Sequence, residues 1–349
     1  MTRQFIDIHI LQTVPPSNLN RDDTGSPKTA YYGGVRRSRV SSQSWKRATR
    51  KSFDDVLAKD KLGVRTKHVV ALVADRIKAK ASDLAGAEDH AGLALKAAGI
   101  TLAKPRVRKD APADAPEPVE QSGYLLFLSS SQIDQLADLA IAAARNGGKV
   151  DAKKARAAAD SNHSVDVSLF GRMVADATDL NVDAAAQVAH ALSVHAVENE
   201  FDYFTAVDDR APEDNAGAGM IGTVEFNSAT LYRYATINVE ALRSNLGDAT
   251  ATVEAVRAFI KRSPPACPPA SRTRSRTEPC PMPSSSPSAS ISRSTWWEPS
   301  KTLSRPPPTR PGSAWLLLGL LIMSTRSTPP METVGERASS SGWARRLLR

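Results

Sequence analysis

The stretch "GGVRRSRVSSQSWKRATRKS", Gly33 to Ser52, combines an alternating strand pattern with the start of an amphipathic helix. Ser41 and Ser42 are typical N-cap residues and precede the helical pattern 43–58. At about 100° per residue, this pattern divides into two faces. The apolar face carries Trp45, Ala48, Ser52, Phe53 and Val56, and the opposite face carries Gln43, Lys46, Arg47 and Arg50. One face is therefore predicted to pack and the other to present charge outward.

Positive charge is concentrated in this stretch rather than spread over the chain. The whole chain carries a formal net charge of +9. From Ser263 to the end, 12 Lys and Arg stand against 4 Glu, a net of +8, which leaves +1 for residues 1–262. A near-neutral body with one basic segment favours a local polyanion site over a general coating of charge. The acid-free run contains Arg36, Arg37, Arg39, Lys46, Arg47, Arg50 and Lys51.

Length and cysteine positions indicate the class of protein. At 349 residues the chain is long enough for two domains and a sizeable core. Cys267 and Cys280 both lie near the carboxyl end, so the body is expected to hold no disulfide and no thiolate metal site. The amino end lacks a signal pattern, and the apolar run Trp315–Met323 is too short to span a bilayer. We expect a cytoplasmic protein that needs no cofactor.

The body alternates predicted strands and helices without a glycine-rich nucleotide-binding fingerprint, a pattern that favours an α+β architecture. The predicted strands are 5–14, 123–129, 201–207 and 223–239, the last with a turn at Asn227. Beyond 43–58, the predicted helices are 131–144, capped by Ser131, and 182–200, capped by Asn181. A helical insertion followed by a loop is expected over 80–122.

Four segments resemble the CasC family, the backbone subunit of Cascade, the type I-E CRISPR surveillance complex. Their order and spacing suit that family over about residues 1–262. The first is highly specific, and the other three are moderately specific. They are "LNRDDTGSPKTAYYGGVRRSRVSSQSWKRATRKS" (Leu19–Ser52), "FGRM" (Phe170–Met173), "FTAVDD" (Phe204–Asp209) and "LYRYATINVEAL" (Leu231–Leu242).

The resemblance implies a fold shaped like a right hand. It would have an RNA-recognition-like (ferredoxin-like) palm, a helical fingers insertion at roughly 55–180 and a thumb loop at roughly 208–225. Copies of the chain would stack along a CRISPR RNA, together with other Cascade subunits, and present the guide for pairing with target DNA in antiviral defence. Cutting would be left to a separate nuclease, so the chain itself is expected not to be an enzyme.

The resemblance also implies individual site residues. Met173 would be the apolar wedge where the guide is kinked, although a lone Met is more often a core residue. Without the resemblance, the basic helix face would also fit an ordinary solvated surface. Some of the arginines in the strand before the helix (Arg36, Arg37 and Arg39) would pair with acids of a neighbouring subunit instead of contacting the guide RNA. The implied guide contacts are Arg21, Lys28, Ser41, Gln43, Lys46 and Arg50.

Two other functions are alternatives to this one. A metal-independent endoribonuclease of the same superfamily would process CRISPR RNA with His and Tyr, and it would need a His near a glycine-rich loop close to the carboxyl end. A generic RNA-binding chaperone would bind short oligonucleotides as a monomer. The six histidines show no metal-binding spacing, and the adjacent Asp208 and Asp209 lack partners for a metal.

The tail, residues 263–349, differs in composition from the body. It has no Phe, Tyr, Asn, Asp, Gln or His, and such a segment is predicted to be disordered. The resemblance predicts a phrase such as "MPPGKQNTFANRTLPDA" at this point. When that phrase is back-translated into codons and read one nucleotide later, the shifted frame can encode Cys267–Met282. The same shift turns an expected "QPVNLVGAFE" into Ser292–Ser300. We therefore predict a frameshift at about residues 262–266. The palm would then lack its last strand, leaving an open sheet edge, poor solubility and weak assembly.

Overall fold

The computed structural model describes residues 3–105, 118–147, 149–174, 176–206, 220–268 and 320–328. Its strands are β1 (Arg3–Ser17), β2 (Thr29–Tyr32), β3 (Val35–Val40), β4 (Gly63–Thr66), β5 (Leu102–Ala103), β6 (Gln121–Ser122), β7 (Leu126–Ser129), β8 (Ala186–Val188), β9 (Ala191–Ser193), β10 (Glu200–Ala206), β11 (Met220–Asn238) and β12 (Leu320–Thr328). Its α-helices are α1 (Ser42–Ser52), α2 (Val69–Lys80), α3 (Ala87–Ala97), α4 (Ser130–Arg145), α5 (Ala152–Ala159), α6 (Val165–Phe170), α7 (Val239–Leu246) and α8 (Ala249–Arg262). Short 3₁₀ turns occupy Phe53–Asp55, Lys59–Lys61 and Thr178–Leu180.

The main sheet is antiparallel and has β1 and β11 at its centre. Its strand order is β12-β1-β11-β9-β3-β2, and β8 and β10 also pair with β11. The inward side chains of β1 and β11 form a core with α7 and α8, in which Ile8, Ile237 and Phe259 are fully buried. The strand predicted over 5–14 is confirmed. The architecture is α+β, as predicted, while the RNA-recognition-like topology of the palm stays a prediction.

The predicted turn at Asn227 is wrong, because β11 continues through it. Asn227 lies opposite Ser17, beside an irregularity in the β1–β11 register. Its buried amide accepts a hydrogen bond from the Ser38 hydroxyl at 3.1 Å and donates to Asn199 Oδ1 at 3.3 Å. An Asn side chain signals a turn when it bonds locally, but here distant segments satisfy it.

The predicted helix over 182–200 is also wrong, because part of this segment forms β8 and β9. Ala186–Val188 pair with Ala235–Ile237 of β11, and Ala191 pairs with Val40 of β3. Alanine-rich sequence has high intrinsic helix propensity. Pairing with the long central strand outweighs that preference, since strand formation depends on the neighbouring surface more than on the residue itself.

The helices between β4 and α6 pack around a second core. Val73 and Ile77 of α2, Leu95 of α3 and Leu136 of α4 are fully buried there. The predicted helix over 131–144 is confirmed as α4, although its N-cap is Ser129 rather than Ser131. Ser129 and Gln132 form a capping box, in which each side chain bonds the other's backbone N–H.

The sheet edge along β1 was expected to be open, and this expectation is wrong. Residues 320–328 of the tail pair with β1. The register runs antiparallel from Arg3 opposite Thr328 to Leu11 opposite Leu320. An unpaired edge accepts any segment with strand propensity, and "LLIMSTRST" is rich in Leu, Ile, Met and Thr. The rest of the tail after residue 268 lies outside the described residues, and the predicted frameshift stays a prediction. Among the described residues no helix combines the length and apolarity needed to cross a membrane.

Candidate nucleic-acid interface

Helix α1 anchors the candidate interface through its buried face. Ser41 Oγ accepts a hydrogen bond from the Ser44 backbone N–H at 3.3 Å and so caps the helix. Trp45 and Thr49 are the buried residues of the helix. The Trp45 ring packs in a cluster between the sheet and α1, and the Arg233 guanidinium lies 3.7 Å from its centre. The predicted packed face is confirmed at Trp45 and Phe53 but is half-buried at Ala48, Ser52 and Val56. The helix predicted over 43–58 ends at Ser52, and a 3₁₀ turn follows it.

The opposite face of α1 presents polar and cationic side chains. Gln43 and Arg47 are exposed and Lys46 is half-buried. No carboxylate of the described residues forms an ion pair with Lys46 or Arg47. Cations that lack an acid partner inside the protein attract an external anion.

The loop between β1 and β2 brings two more predicted contacts beside α1. Asn20 joins the two elements, since its carbonyl accepts the Lys28 backbone N–H at 2.8 Å and its side chain accepts the Ser41 backbone N–H at 3.0 Å. Asp22 closes the loop by accepting two backbone N–H groups at 3.0 and 3.1 Å. Within this loop Arg21 is exposed and Lys28 is half-buried. Arg21 and Lys28 are therefore held near the amino end of α1.

Two of the predicted contacts have partners inside the protein. The Ser41 hydroxyl is buried and occupied as the helix cap. The side chain of Arg50 is only 24% exposed, with Nη1 lying 3.8 Å from Asp166 Oδ2 and the guanidinium 5.1 Å from the centre of the Phe127 ring. Burial is the largest influence on the pKa of Arg50 and lowers it. Ser41 and Arg50 thus have structural roles in addition to any contact with RNA.

Asp166 is the buried acid that holds Arg50. Its Oδ1 accepts hydrogen bonds from the Gly63 backbone N–H at 2.9 Å, the Ser164 hydroxyl at 2.7 Å and the Val167 backbone N–H at 3.1 Å. Burial raises the pKa of the Asp166 carboxyl, although these hydrogen bonds and the charge of Arg50 oppose the rise. Asp166 connects α1, β4 and α6 beneath the basic face.

The raised pKa of Asp166 predicts a pH-dependent contribution to stability. A carboxyl with a higher pKa in the folded state binds a proton more tightly when folded, so its contribution to stability is lost as pH rises from its ordinary value of 3.8 through the folded value. Asp166→Asn keeps the Oδ1 acceptor but does not titrate. We expect the free energy of unfolding of the unaltered chain, relative to this variant, to fall with pH in urea titrations. A constant or rising difference would contradict the sign of the shift.

The arginines of β3, some of which were expected to pair with a neighbouring subunit, make contacts within this chain. Arg37 donates to the Ser193 carbonyl at 2.8 Å, and Arg39 donates to the Thr29 carbonyl at 3.3 Å. Arg36 is exposed, and its guanidinium lies 5.6 Å from the centre of the Tyr31 ring. Two of the three arginines therefore bond the backbone of this chain, and pairing with a neighbouring subunit stays a prediction.

Met173 projects into solvent from a rigid base. Its side chain is 84% exposed, which is unusual for a large apolar residue. Gly171 has φ +79°, and a Cβ there would lie 2.8 Å from the Val182 carbonyl oxygen, so only glycine fits. Backbone hydrogen bonds in both directions join Arg172 to Val182 at 3.0 and 2.9 Å. The alternative that Met173 belongs to the core is excluded.

Buried Arg172 holds the base of the Met173 segment. Its guanidinium donates to the Leu180 carbonyl at 2.7 Å, to Gln132 Oε1 at 3.2 Å and to Asp160 Oδ1 at 3.2 Å. Burial lowers the pKa of Arg172 and of neighbouring His163. A buried cation satisfied on three sides has one geometry, so the backbone on either side is fixed.

The region expected to form the thumb is only partly described. Residues 207–219, which include Asp208 and Asp209, lie outside the described residues, and 220–225 belong to β11. At the base of this region β10 and β11 form a two-stranded arm. Phe201 and Tyr203 on one face of β10 are 67% and 63% exposed. These aromatic residues alternate with polar ones in "EFDYFTA", a signal that could have identified them, but they were not among the predicted site residues.

In the part of the chain that the structure describes, no group of three or more His, Cys, Asp or Glu is placed to hold a metal ion. One histidine has a notable partner, because His9 Nδ1 lies 2.8 Å from the Tyr232 hydroxyl. Burial is the largest influence raising the pKa of Tyr232. Tyr234 lies beside the same imidazole and donates to Asp7 at 2.9 Å.

Comparison with known proteins identifies a family and many similar solved structures. The sequence model of the CT1975-like protein family matches residues 6–280. A chain of a "CRISPR RNA-guided surveillance complex, pre-nicking" is 36% identical with a TM-score of 0.63, and the match covers 76% of this chain and 73% of that chain. A chain of a "CRISPR RNA-guided surveillance complex" is 30% identical with a TM-score of 0.54, covering 76% and 72%. No curated protein matches the chain.

Proposed function

This chain belongs to the CT1975-like family of CasC-like proteins, and on that premise we propose that it binds CRISPR RNA. It would do so as a repeated backbone subunit of a type I-E Cascade complex. The family predicted from the sequence is confirmed, and its relatives support a role in a CRISPR surveillance complex. The observation that carries RNA binding is the polar face of α1, where Lys46 and Arg47 have no ion-pair partner among the described residues. Other copies of the chain, other Cascade subunits and target DNA would be its partners.

The chemistry of this face suits a guide of any sequence. Lys and Arg bind phosphates without distinguishing bases, and Gln43 adds a neutral hydrogen-bonding group beside them. Arg21 and Lys28 would contact the same strand from the adjoining loop, since Asn20 ties that loop to α1. Sequence recognition would then be left to base pairing between guide and target.

Met173 would act where the RNA bends. An exposed thioether on a rigid base can insert between bases, because apolar wedges unstack neighbouring bases and kink the strand. Met173→Ala is expected to reduce the fluorescence rise of a 2-aminopurine placed at the kink by about half, while changing overall RNA affinity by less than about threefold, since phosphate contacts dominate affinity. Leu93→Ala, at an exposed Leu on α3, is the matched control. Equal fluorescence from the Met173 and Leu93 variants would contradict the proposed role of Met173 as a wedge.

The His9 and Tyr232 pair is the observation that favours the endoribonuclease as a second candidate. A His and a Tyr in contact can exchange protons during RNA cleavage. We expect the chain to leave CRISPR RNA intact, because His9 lies near the amino end, whereas this class of enzyme needs a His near a glycine-rich loop close to the carboxyl end. Cleavage by the unaltered chain that is lost in His9→Ala would replace the backbone role with a catalytic one.

Nuclease protection of a CRISPR RNA tests the proposed function directly. The full chain would be expressed with its neighbouring Cascade subunits, beside a version whose reading frame is restored after Arg262. We expect regularly spaced protection from the restored chain and weaker protection from the present one, whose last segment is not the family's own. Protection by neither chain would contradict the proposal. Equal protection by both would show that the tail does not impair assembly.

A further inference from the structure

Arg65 on β4 is a cation that the basic stretch around α1 does not include. β4 pairs with β7 so that Arg65 lies directly opposite Phe127. Directly opposite residues of an antiparallel pair project from the same face, with Cβ atoms about 5 Å apart. Arg65 is exposed, whereas Phe127 is buried beneath it.

The same phenylalanine connects Arg65 to α1. The Arg50 guanidinium lies 5.1 Å from the centre of the Phe127 ring. Gly63 shares the face of β4 that carries Arg65, and a Cβ at Gly63 would lie 2.8 Å from the Phe127 ring. The ring therefore fills the space over Gly63, two residues from Arg65 on the same face of β4, and Arg50 packs on that ring from the side of α1.

The register of β4 is fixed by the acid beneath it. Gly63 donates its backbone N–H to Asp166, which also holds Arg50. Arg65 and Arg50 are thereby held relative to one another by a common buried carboxylate. The positive charges of Arg65 and Arg47 each lower the pKa of Arg50, as expected for neighbouring cations.

The charges on this surface leave a positive excess, because Arg47, Arg50 and Arg65 stand against two acids, Asp166 and Asp54, whose charges raise the pKa of Arg50. Asp166 is buried and already accepts three hydrogen bonds, so it is not available to Arg65. Within the described residues, neither Arg65 nor Arg47 forms an ion pair with a carboxylate. Like charges brought together around an apolar ring repel one another, and an external anion would relieve that repulsion.

We infer that Arg65, with Arg47 and Arg50 across Phe127, forms a further phosphate-binding position that extends the interface from α1 onto β4. Its ligand is a backbone phosphate of the RNA strand held by α1, so the inference rests on the proposed function. Arg suits such a position because its planar guanidinium can bind phosphate oxygens in a bidentate manner. The RNA would thus run from the palm helix onto the edge of the helical insertion.

The test measures the salt dependence of binding of the full chain to a fluorescein-labelled single-stranded RNA of mixed sequence. Each lost phosphate contact on a single strand reduces the slope of log K against log[salt] by about 0.7. We expect this reduction for Arg65→Gln, so that raising the salt from about 50 to about 200 mM weakens its binding about 2.5-fold less than that of the unaltered chain. Arg65→Lys, which keeps the charge, is expected to retain the slope. Arg145→Gln, at an exposed Arg on α4 paired with Asp83, is expected to leave it unchanged.

Two results would overturn the inference, and a comparison with Lys46→Gln shows whether the proposed function fails with it. An unchanged slope for Arg65→Gln would show that Arg65 does not contact a phosphate. If Arg65→Gln has no effect in a chain that already carries Arg50→Gln, Arg65 only positions Arg50. If Lys46→Gln lowers the slope but Arg65→Gln does not, this inference fails while the proposed function stands. If neither variant changes the slope, the proposed function fails with it.

Discussion

Reversing two charges on the exposed face of α1, as Lys46→Glu together with Arg47→Glu, is expected to weaken binding of single-stranded RNA about a hundredfold at low salt. Each replacement would remove a proposed phosphate contact and add a repelling carboxylate, and about 1.4 kcal/mol per side chain accounts for a tenfold loss. Both side chains point away from the buried Trp45 face, so the fold is expected to remain. Fluorescence anisotropy at several salt concentrations measures the loss, which is expected to shrink as salt rises.

A matched control separates this local effect from net charge. Lys153→Glu with Lys154→Glu makes the same change in charge on the exposed surface of α5. We expect its RNA affinity to stay within about threefold of the unaltered chain, since screened charges outside the interface act weakly. Equal losses from the two double variants would mean that RNA binds through general charge, and the generic RNA-binding alternative would then be preferred.

Replacing Trp45 with Ala is expected to reduce the free energy of unfolding by about 3–5 kcal/mol. Trp45 is 1% exposed and packs against Val14, Val40 and Leu231. The variant would leave a cavity between α1 and the sheet, and it would also remove the ring on which the Arg233 guanidinium lies. RNA affinity is expected to fall as well, because α1 would lose its anchor. Urea unfolding followed by circular dichroism measures the change in stability.

Trp45→Phe is the control for this variant. Within the described residues the Trp45 indole N–H has no hydrogen-bond acceptor, so Phe removes no polar contact. Its smaller ring keeps most of the packing, and the expected cost is about 1.5 kcal/mol or less. Comparable destabilisation by Phe and Ala would indicate that the indole itself, rather than ring volume, fixes the helix.

Local patterns in the sequence were sufficient to predict the elements that carry the interface. The strand over 5–14, the Ser41 cap and the Trp45 side of α1 follow from spacing between neighbours in the chain, and the structure confirms them. Arg50, predicted on the outward face, is instead largely buried beside Asp166. The family was predicted differently, from the resemblance of four sequence segments to a known family, and the comparisons confirm it. The exposed position of Met173 agrees with the role that the family resemblance implied for it.

Where the sequence predictions were wrong, a distant partner had decided the local structure. The segment at 182–200 has the composition of a helix but forms strands because β11 offers it hydrogen bonds. Asn227 stays inside a strand because Ser38 and Asn199 satisfy its amide. Residues 320–328 join the sheet because β1 presents an edge there. None of these partners is near in sequence.

The sequence by itself determined that a basic, amphipathic helix would stand on an apolar anchor, because helix periodicity and capping act between residues a few positions apart. Only the tertiary structure decided how the cations of that region are used. It placed Asp166 beneath Arg50, and it brought Arg65 opposite Phe127, the ring on which Arg50 packs. Lys46 and Arg47 form no ion pair with an acid among the described residues. The physical reason is that burial and ion pairing depend on which side chains meet in space, and strand pairing joined segments far apart along the chain.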